Sequence, residues 1–172
     1  GGLHRIFKTA IRQPDPHGEQ PHVLPLGRAP LLKREGGKVN AVSNQGGVAA
    51  QRMLRELEHA LASRERVSLA LSGGSTPGPA YARLAELSRA SLPWQRVDLY
   101  FADERLVPET DSHSNLGLVR AQLLTRLGTR QPRLVPLERE QADEERTAAD
   151  YERELPARLD LVVLGVGEDG HT

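Results

Sequence analysis

Cysteine is absent from the 172 residues, which removes a disulfide framework, a thiol nucleophile and a thiolate zinc site together. A cysteine-free chain suits a reducing cytoplasm, the expected location. Aromatic residues make up 3% of the chain, so any core must be aliphatic, built from Leu, Val and Ala. Net charge is also absent: 23 basic side chains balance 23 acidic ones. Binding to a nucleic acid depends on a net basic face, so that partner class is not expected. No apolar run approaches the roughly 18 residues needed to span a bilayer, and the mean hydropathy is −0.49, so no membrane partner is expected. No basic stretch followed by an apolar one opens the chain, and no signal peptide is read there.

What is present divides unequally. Residues 1–42 hold five of the twelve prolines, in segments such as Gln13-Pro-Asp-Pro-His-Gly18, and show no apolar period of 2 or 3.6. They read as a Pro/Gly-rich tail, a linker or the end of an upstream unit. Residues 43–172 read as a partial α/β domain. Met53, Leu54, Leu57 and Leu61 recur at helical spacing between Gly47 and Arg64. Val67-Ser-Leu-Ala-Leu71 is a short apolar strand, and a helix bearing Tyr81, Leu84 and Leu87 follows it. The cycle repeats with a strand at Val97–Phe101, then a helix capped by Ser114 that carries Leu116, Val119, Leu123 and Leu127. Arg133–Leu137 is a strand weakened by Pro136, which suits an edge or an end. A charged helix over 141–155 places Ala148, Tyr151 and Leu155 on one side, and Leu159–Leu164 is the last strand. Strands alternating with helices predict an α/β fold, a parallel, Rossmann-like open sheet with flanking helices.

In such a sheet, ligands bind beyond the carboxyl ends of the strands. Three polar or Gly-rich segments follow apolar strands: Ser72–Thr76, Asp103–Arg105 and Gly165–His171. One site on one rim accounts for all three. In Ser72-Gly-Gly-Ser-Thr-Pro77, the glycines let backbone N–H groups turn toward a ligand, and Ser75 and Thr76 add hydroxyls. The next helix aims its positive end at the same place, an arrangement suited to a phosphate monoester. Alone, the segment reads more readily as a tight turn with a cap. It lacks the Gly-Lys-Ser/Thr of a P-loop. In Asp103-Glu-Arg105, Glu104 reads as a structural partner for Arg105, whereas the planar fork of Arg105 suits a phosphate or a carboxylate. His113 reads as solvated, and Asn115 as a capping group or a contact across the rim. In Gly165-Val-Gly-Glu-Asp-Gly-His171, the spacing lets Asp169 orient His171, whose imidazole titrates near neutrality and can take a proton from water. No second histidine stands at ligand spacing, and His4, His17 and His22 lie in the unpatterned tail, so a metal site is not expected.

These segments, in this order, resemble the 6-phosphogluconolactonase family. The matching text is Leu71-Ser-Gly-Gly-Ser-Thr-Pro77, then Asp103-Glu-Arg-Leu-Val-Pro108 with Ser114-Asn115, then Leu164-Gly-Val-Gly-Glu-Asp-Gly-His-Thr172. Trp94 and Ala149-Asp-Tyr151 fit the same pattern, and the resemblance covers residues 48–172. It implies hydrolysis of 6-phosphoglucono-1,5-lactone to 6-phosphogluconate, in the oxidative pentose phosphate pathway, with a sugar-phosphate lactone as partner and no metal or organic cofactor. It implies that Gly73, Gly74, Ser75 and Thr76 hold the sugar phosphate. Asp103 and Arg105 would stand on the substrate-binding rim, and His171 would activate water with support from Asp169. Two other readings stay open. Glucosamine-6-phosphate deaminases resemble this fold, but typically carry Asp-Glu-Tyr where this chain has Asp103-Glu104-Arg105. A non-catalytic sugar-phosphate sensor would need a DNA-binding partner domain, and residues 1–42 show no helix-turn-helix pattern.

The chain reads as a fragment, because Gly167–Thr172 is loop chemistry directly after an apolar strand. Family members continue past this segment with further sheet and helix elements, which also bring basic residues to the phosphate. Residues 1–172 by themselves are therefore expected to show weak or no activity and doubtful stability, with apolar sheet left exposed. A cooperative melt of this polypeptide by circular dichroism would contradict that expectation.

Overall fold

A computed structural model describes residues 22–26, 41–74, 76–135 and 144–165. Its elements run in the order β1 (His22–Leu26), α1 (Ala41–Ser63), β2 (Val67–Leu71), α2 (Gly78–Ser88), β3 (Val97–Phe101), α3 (Asn115–Val119), β4 (Arg133–Leu134), α4 (Glu144–Glu154) and β5 (Leu161–Gly165). A single turn of 3₁₀-helix, Trp94–Arg96, leads into β3. α3 runs on through a π-helical turn, Arg120–Leu124, and a last α-helical turn, Thr125–Leu127. The fold is α/β, as the alternation of patterns predicts. All four strand pairings are parallel, and the sheet order is β1-β5-β2-β3-β4.

The central strands explain the short apolar runs. β2 is buried at every position, pairing Val67 with Val97 through Leu71 with Phe101 on one side, and Leu69 and Ala70 with Leu161 and Val162 on the other. A parallel strand covered on both faces needs continuous apolar sequence rather than alternation. On α1, Ala50, Met53, Leu57 and Leu61 form the buried stripe. α1 begins earlier than the expected Gly47, because Gly46 is used inside the helix. A Cβ there would stand 3.3 Å from the backbone of Pro79, so this glycine lets α1 lie close against α2.

The chain order sets the geometry of the site. From β1 to β2, β2 to β3 and β3 to β4, each step moves the same way across the sheet, and right-handed crossovers then stack α1, α2 and α3 on one face. β4 to β5 moves the opposite way, which puts α4 on the other face. The order therefore reverses between β2 and β5. A crevice at that switch point, beyond the carboxyl ends of the strands, is where open α/β sheets bind ligands.

Within residues 1–42, His22–Leu26 forms a strand of this same sheet, which the lack of an apolar period there did not foretell. His22–Leu26 pairs with β5 from His22↔Leu161 to Leu26↔Gly165. Five residues containing a proline are too few to show a period, and an edge strand tolerates Pro25, whose missing N–H need not face a neighbour. The amino-terminal end of the sheet is tied by charge. Arg66 forks onto the Asp98 carboxylate, while Asp160 accepts from Ser68 N at 2.8 Å and Ser68 Oγ at 2.9 Å and pairs with Arg64.

α4 reaches the carboxyl end of β3 through one side chain. The Tyr151 hydroxyl accepts from Phe101 N at 2.7 Å and donates to Phe101 O at 3.3 Å. β4 pairs only as far as Leu99 within the ladder, so Tyr151 supplies the partner that a longer edge strand would have supplied. Tyr151→Phe is expected to lower stability by about 1–3 kcal/mol, the cost of leaving those buried groups unpaired, as measured by urea unfolding.

Candidate functional site

The loop after β2 is anchored from below. The Ser72 carbonyl accepts from the Tyr81 hydroxyl at 2.7 Å. Tyr81 is fully buried; burial pushes its phenol well above the usual range, and the nearby Asp103 carboxylate adds to that rise. The hydroxyl therefore stays protonated and donates. Gly74 takes φ of +98°, a conformation in which a side chain would be strained. Gly73 is required for a different reason. A Cβ on it would fall 1.6 Å from Asn115 Oδ1 and 2.1 Å from Asn115 Cγ, so the Asn115 amide occupies the space that a side chain would need.

Thr76 is exposed, and Ser75 lies outside the described residues. α2 then starts with Pro77 at its cap and Pro79 in its first turn, and no side chain bonds to its cap. Its amino end is left with free amide character and the positive pole of the helix.

The loop after β3 ends on α3. Glu104 is 8% exposed. Its Oε1 accepts from Arg105 N and Asn115 N, and its Oε2 from Leu116 N, each at 2.8 Å. Ser114 Oγ accepts from Gly117 N at 3.1 Å, as the expected cap. Glu104 is thus structural, as read from the sequence, but the partners named here are backbone amides rather than the Arg105 guanidinium. A carboxylate is favoured at a helix amino end by both hydrogen bonding and the dipole.

Asn115, 2% exposed, makes the contact across the rim. Its Nδ2 donates to Asp103 O at 2.8 Å, and its Oδ1 accepts from Arg105 Nη1 at 3.2 Å. Arg105 Nη1 also donates to His113 O at 3.3 Å. His113 is exposed, as expected, and its N–H and Nδ1 lie 2.8 and 2.9 Å from Asp111 Oδ1. Those hydrogen bonds hold the Asp111 carboxyl below its ordinary range.

Two helix amino ends therefore meet the same rim in opposite states. That of α3 is filled by the Glu104 carboxylate; that of α2 has no side-chain cap and follows the Gly73-Gly74 turn. An incoming anion is favoured at the second and repelled at the first. The structure brings Gly73, Gly74, Thr76, Asp103 and Arg105 to the carboxyl ends of β2 and β3. Asp169 and His171 lie outside the described residues, beyond β5, the strand beside β2. The sequence reading offered Asn115 as a capping group or a contact across the rim, without counting it among the substrate-binding residues, and the structure shows the contact across the rim.

Gly73→Ala is expected to lower stability by roughly 1–3 kcal/mol, because the methyl group collides with a packed amide. In an Asn115→Ala background the same change is expected to be close to neutral. Thermal melts of the parent, the two single variants and the double variant check this.

With the geometry in hand, comparison with known proteins identifies the family. A family model described as glucosamine-6-phosphate isomerases/6-phosphogluconolactonase matches residues 44–172. The chain is 42% identical over 126 residues to a 6-phosphogluconolactonase of Mesorhizobium japonicum, covering 72% of this chain and 51% of that protein. It is 40% identical over 136 residues to a 6-phosphogluconolactonase of Pseudomonas aeruginosa, covering 77% of this chain and 55% of that protein. The crystal structure of 6-phosphogluconolactonase from Thermotoga maritima is similar with a TM-score of 0.66 at 25% identity, over 88% of this chain and 62% of that one. The chain spans about half the length of the curated relatives it matches. On a family match that runs through well over half of its residues, this chain belongs to the glucosamine-6-phosphate isomerase/6-phosphogluconolactonase family.

Proposed function

We propose that the protein hydrolyses 6-phospho-D-glucono-1,5-lactone to 6-phosphogluconate, the lactone-opening step of the oxidative pentose phosphate pathway. The observation that carries this reading is the pairing of an uncapped α2 amino end with the Gly73-Gly74 turn, beside Arg105, next to the switch point of the sheet. Relatives named as 6-phosphogluconolactonases at 40–42% identity support the same reaction. A cysteine-free chain suits the cytoplasm, where we place the reaction.

In this proposal the amides of Gly73, Gly74, Ser75 and Thr76, with the first turn of α2, hold the 6-phosphate. Arg105 presents its guanidinium to a negative oxygen of the substrate, and Asp103 stands beside it on the rim. His171 takes a proton from water, with Asp169 orienting the imidazole, as the hydroxyl oxygen attacks the lactone carbonyl carbon. The oxyanion that forms is stabilised by N–H donors at the rim. It collapses by breaking the bond to the ring oxygen, which takes the proton back from His171 and leaves as the 5-hydroxyl, while the former carbonyl becomes a carboxylic acid that releases its proton to solvent as the carboxylate. A lactone carbonyl is electrophilic enough for one base and preorganised donors, so the proposal uses no covalent intermediate, metal or organic cofactor.

Acid release from freshly generated 6-phosphogluconolactone, followed in the full-length protein, tests the reading. His171→Ala is expected to lower kcat by about a hundredfold or more, the usual contribution of a general base. Equal rates in parent and variant would remove His171 from the role. Release of ammonia from glucosamine 6-phosphate would replace the reaction itself.

A further inference from the structure

We propose that Asn115 is the positioning residue of this rim: its side-chain amide sets where the Arg105 guanidinium stands relative to the Gly73-Gly74 turn, and so sets affinity for a phosphorylated sugar acid. The inference rests on the reading that this rim takes a sugar phosphate. Its evidence is a junction that the sequence motif conceals. Asp103, Glu104 and Arg105 are consecutive charges, yet each one bonds to Asn115. Asp103 does so through its carbonyl, Glu104 through its carboxylate to the Asn115 N–H, and Arg105 through its guanidinium. On its other side the same amide lies against Gly73, close enough to exclude a Cβ. One buried side chain thereby links the loop after β2, the loop after β3 and the start of α3.

The chemistry of the two contacts selects asparagine. Arg105 has only donors to offer, and the Asp103 carbonyl only accepts. An amide satisfies both in one orientation, Oδ1 toward arginine and Nδ2 toward the carbonyl; reversed, it would face donor with donor and acceptor with acceptor. Aspartate would set a second acceptor 2.8 Å from the Asp103 oxygen. Alanine or serine would not reach both partners. With Nη1 committed to Asn115 and His113, Nε and Nη2 of Arg105 have no hydrogen-bond partner among the described residues. They are a two-nitrogen fork suited to an anionic oxygen pair.

The test is a double-mutant cycle in the full-length protein, with 6-phosphogluconate as the calorimetric probe. Parent, Arg105→Ala, Asn115→Ala and the double variant are compared, and melting temperatures are recorded beside the affinities. Each single change is expected to weaken binding about tenfold, typical of losing hydrogen bonds to a charged group. The double variant is expected to stay within about twofold of the weaker single one, because both changes disable the same guanidinium. In turnover the loss is expected in KM, with kcat within about threefold. Where Asn115→Ala does not fold, Asn115→Leu, close in size and lacking both polar atoms, takes its place with the same expected result.

Asn115→Ala binding as the parent does, a double variant weakened about a hundredfold, or a loss confined to kcat would each overturn the inference. A protein that binds the probe with the expected coupling but opens no lactone keeps the inference and loses the proposed reaction. A lactonase whose cycle is additive keeps the reaction and loses the inference. A parent that does not bind the probe overturns this inference and the proposed mode of sugar-phosphate binding together.

Discussion

The rim of this molecule depends on one buried carboxylate. Glu104 sits under the amino end of α3 and accepts three backbone N–H groups. A charge this far from water is tolerated only when its oxygens are fully used, and here the amides and the helix dipole use them. The consequences reach beyond the helix. With Asn115 N held, the Asn115 side chain is set against Gly73, and Asp103 and Arg105 are drawn to it. With a negative group fixed at α3, the amino end of α2, which no side chain caps, is the one of these two that favours an incoming anion.

The two ends of the sheet use charge differently. At the amino-terminal end, Arg66 with Asp98 and Arg64 with Asp160 are ion pairs that tie neighbouring strands and their connections. At the carboxyl-terminal end the pairs Arg120–Glu109 and His113–Asp111 lie out on the loop after β3, whereas nearer the strand ends Glu104 spends its bonds on backbone amides. Arg105 bonds to the Asn115 amide and the His113 carbonyl and keeps two nitrogens without a partner among the described residues. Ion pairing at the amino-terminal pole holds the strands together, while the other pole keeps the Arg105 guanidinium exposed. Tyr81 and Tyr151 serve both purposes from beneath: buried phenols, held protonated, that fix the last carbonyl before the Gly73 turn and the last residue of β3.

Much of the fold was legible because burial leaves periodic traces. The strands at Val67–Leu71 and Val97–Phe101 and the stripe of Met53, Leu57 and Leu61 are apolar where the core requires it. The Ser114 cap announces α3, and Pro136 agrees with a β4 confined to Arg133–Leu134 at the sheet edge. β1 was not legible, since five residues with a proline carry no period and its place is earned by pairing with β5, far along the chain. The start of α1 was misjudged because glycine normally marks a boundary, whereas Gly46 is kept inside the helix for its closeness to α2. The π turn at Arg120–Leu124 also escaped notice. Its wider step still places Val119, Leu123 and Leu127 inward, and an ordinary helix spaced by four would show the same residues.

For the site, the sequence by itself determined which chemical groups follow each strand: a glycine turn with hydroxyls, a charged triplet, and a loop ending in His171. Those are local matters, set by residue type and by the alternation of apolar and polar text. Only the tertiary structure decided how the triplet is spent. Charges adjacent in the chain suggest pairing among themselves, but the backbone after β3 turns toward α3, and hydrogen-bond geometry there favours the amides of Asn115 and Leu116. The meeting of Gly73 with Asn115 is likewise invisible in one dimension, because it arises from the parallel register that brings the ends of β2 and β3 side by side.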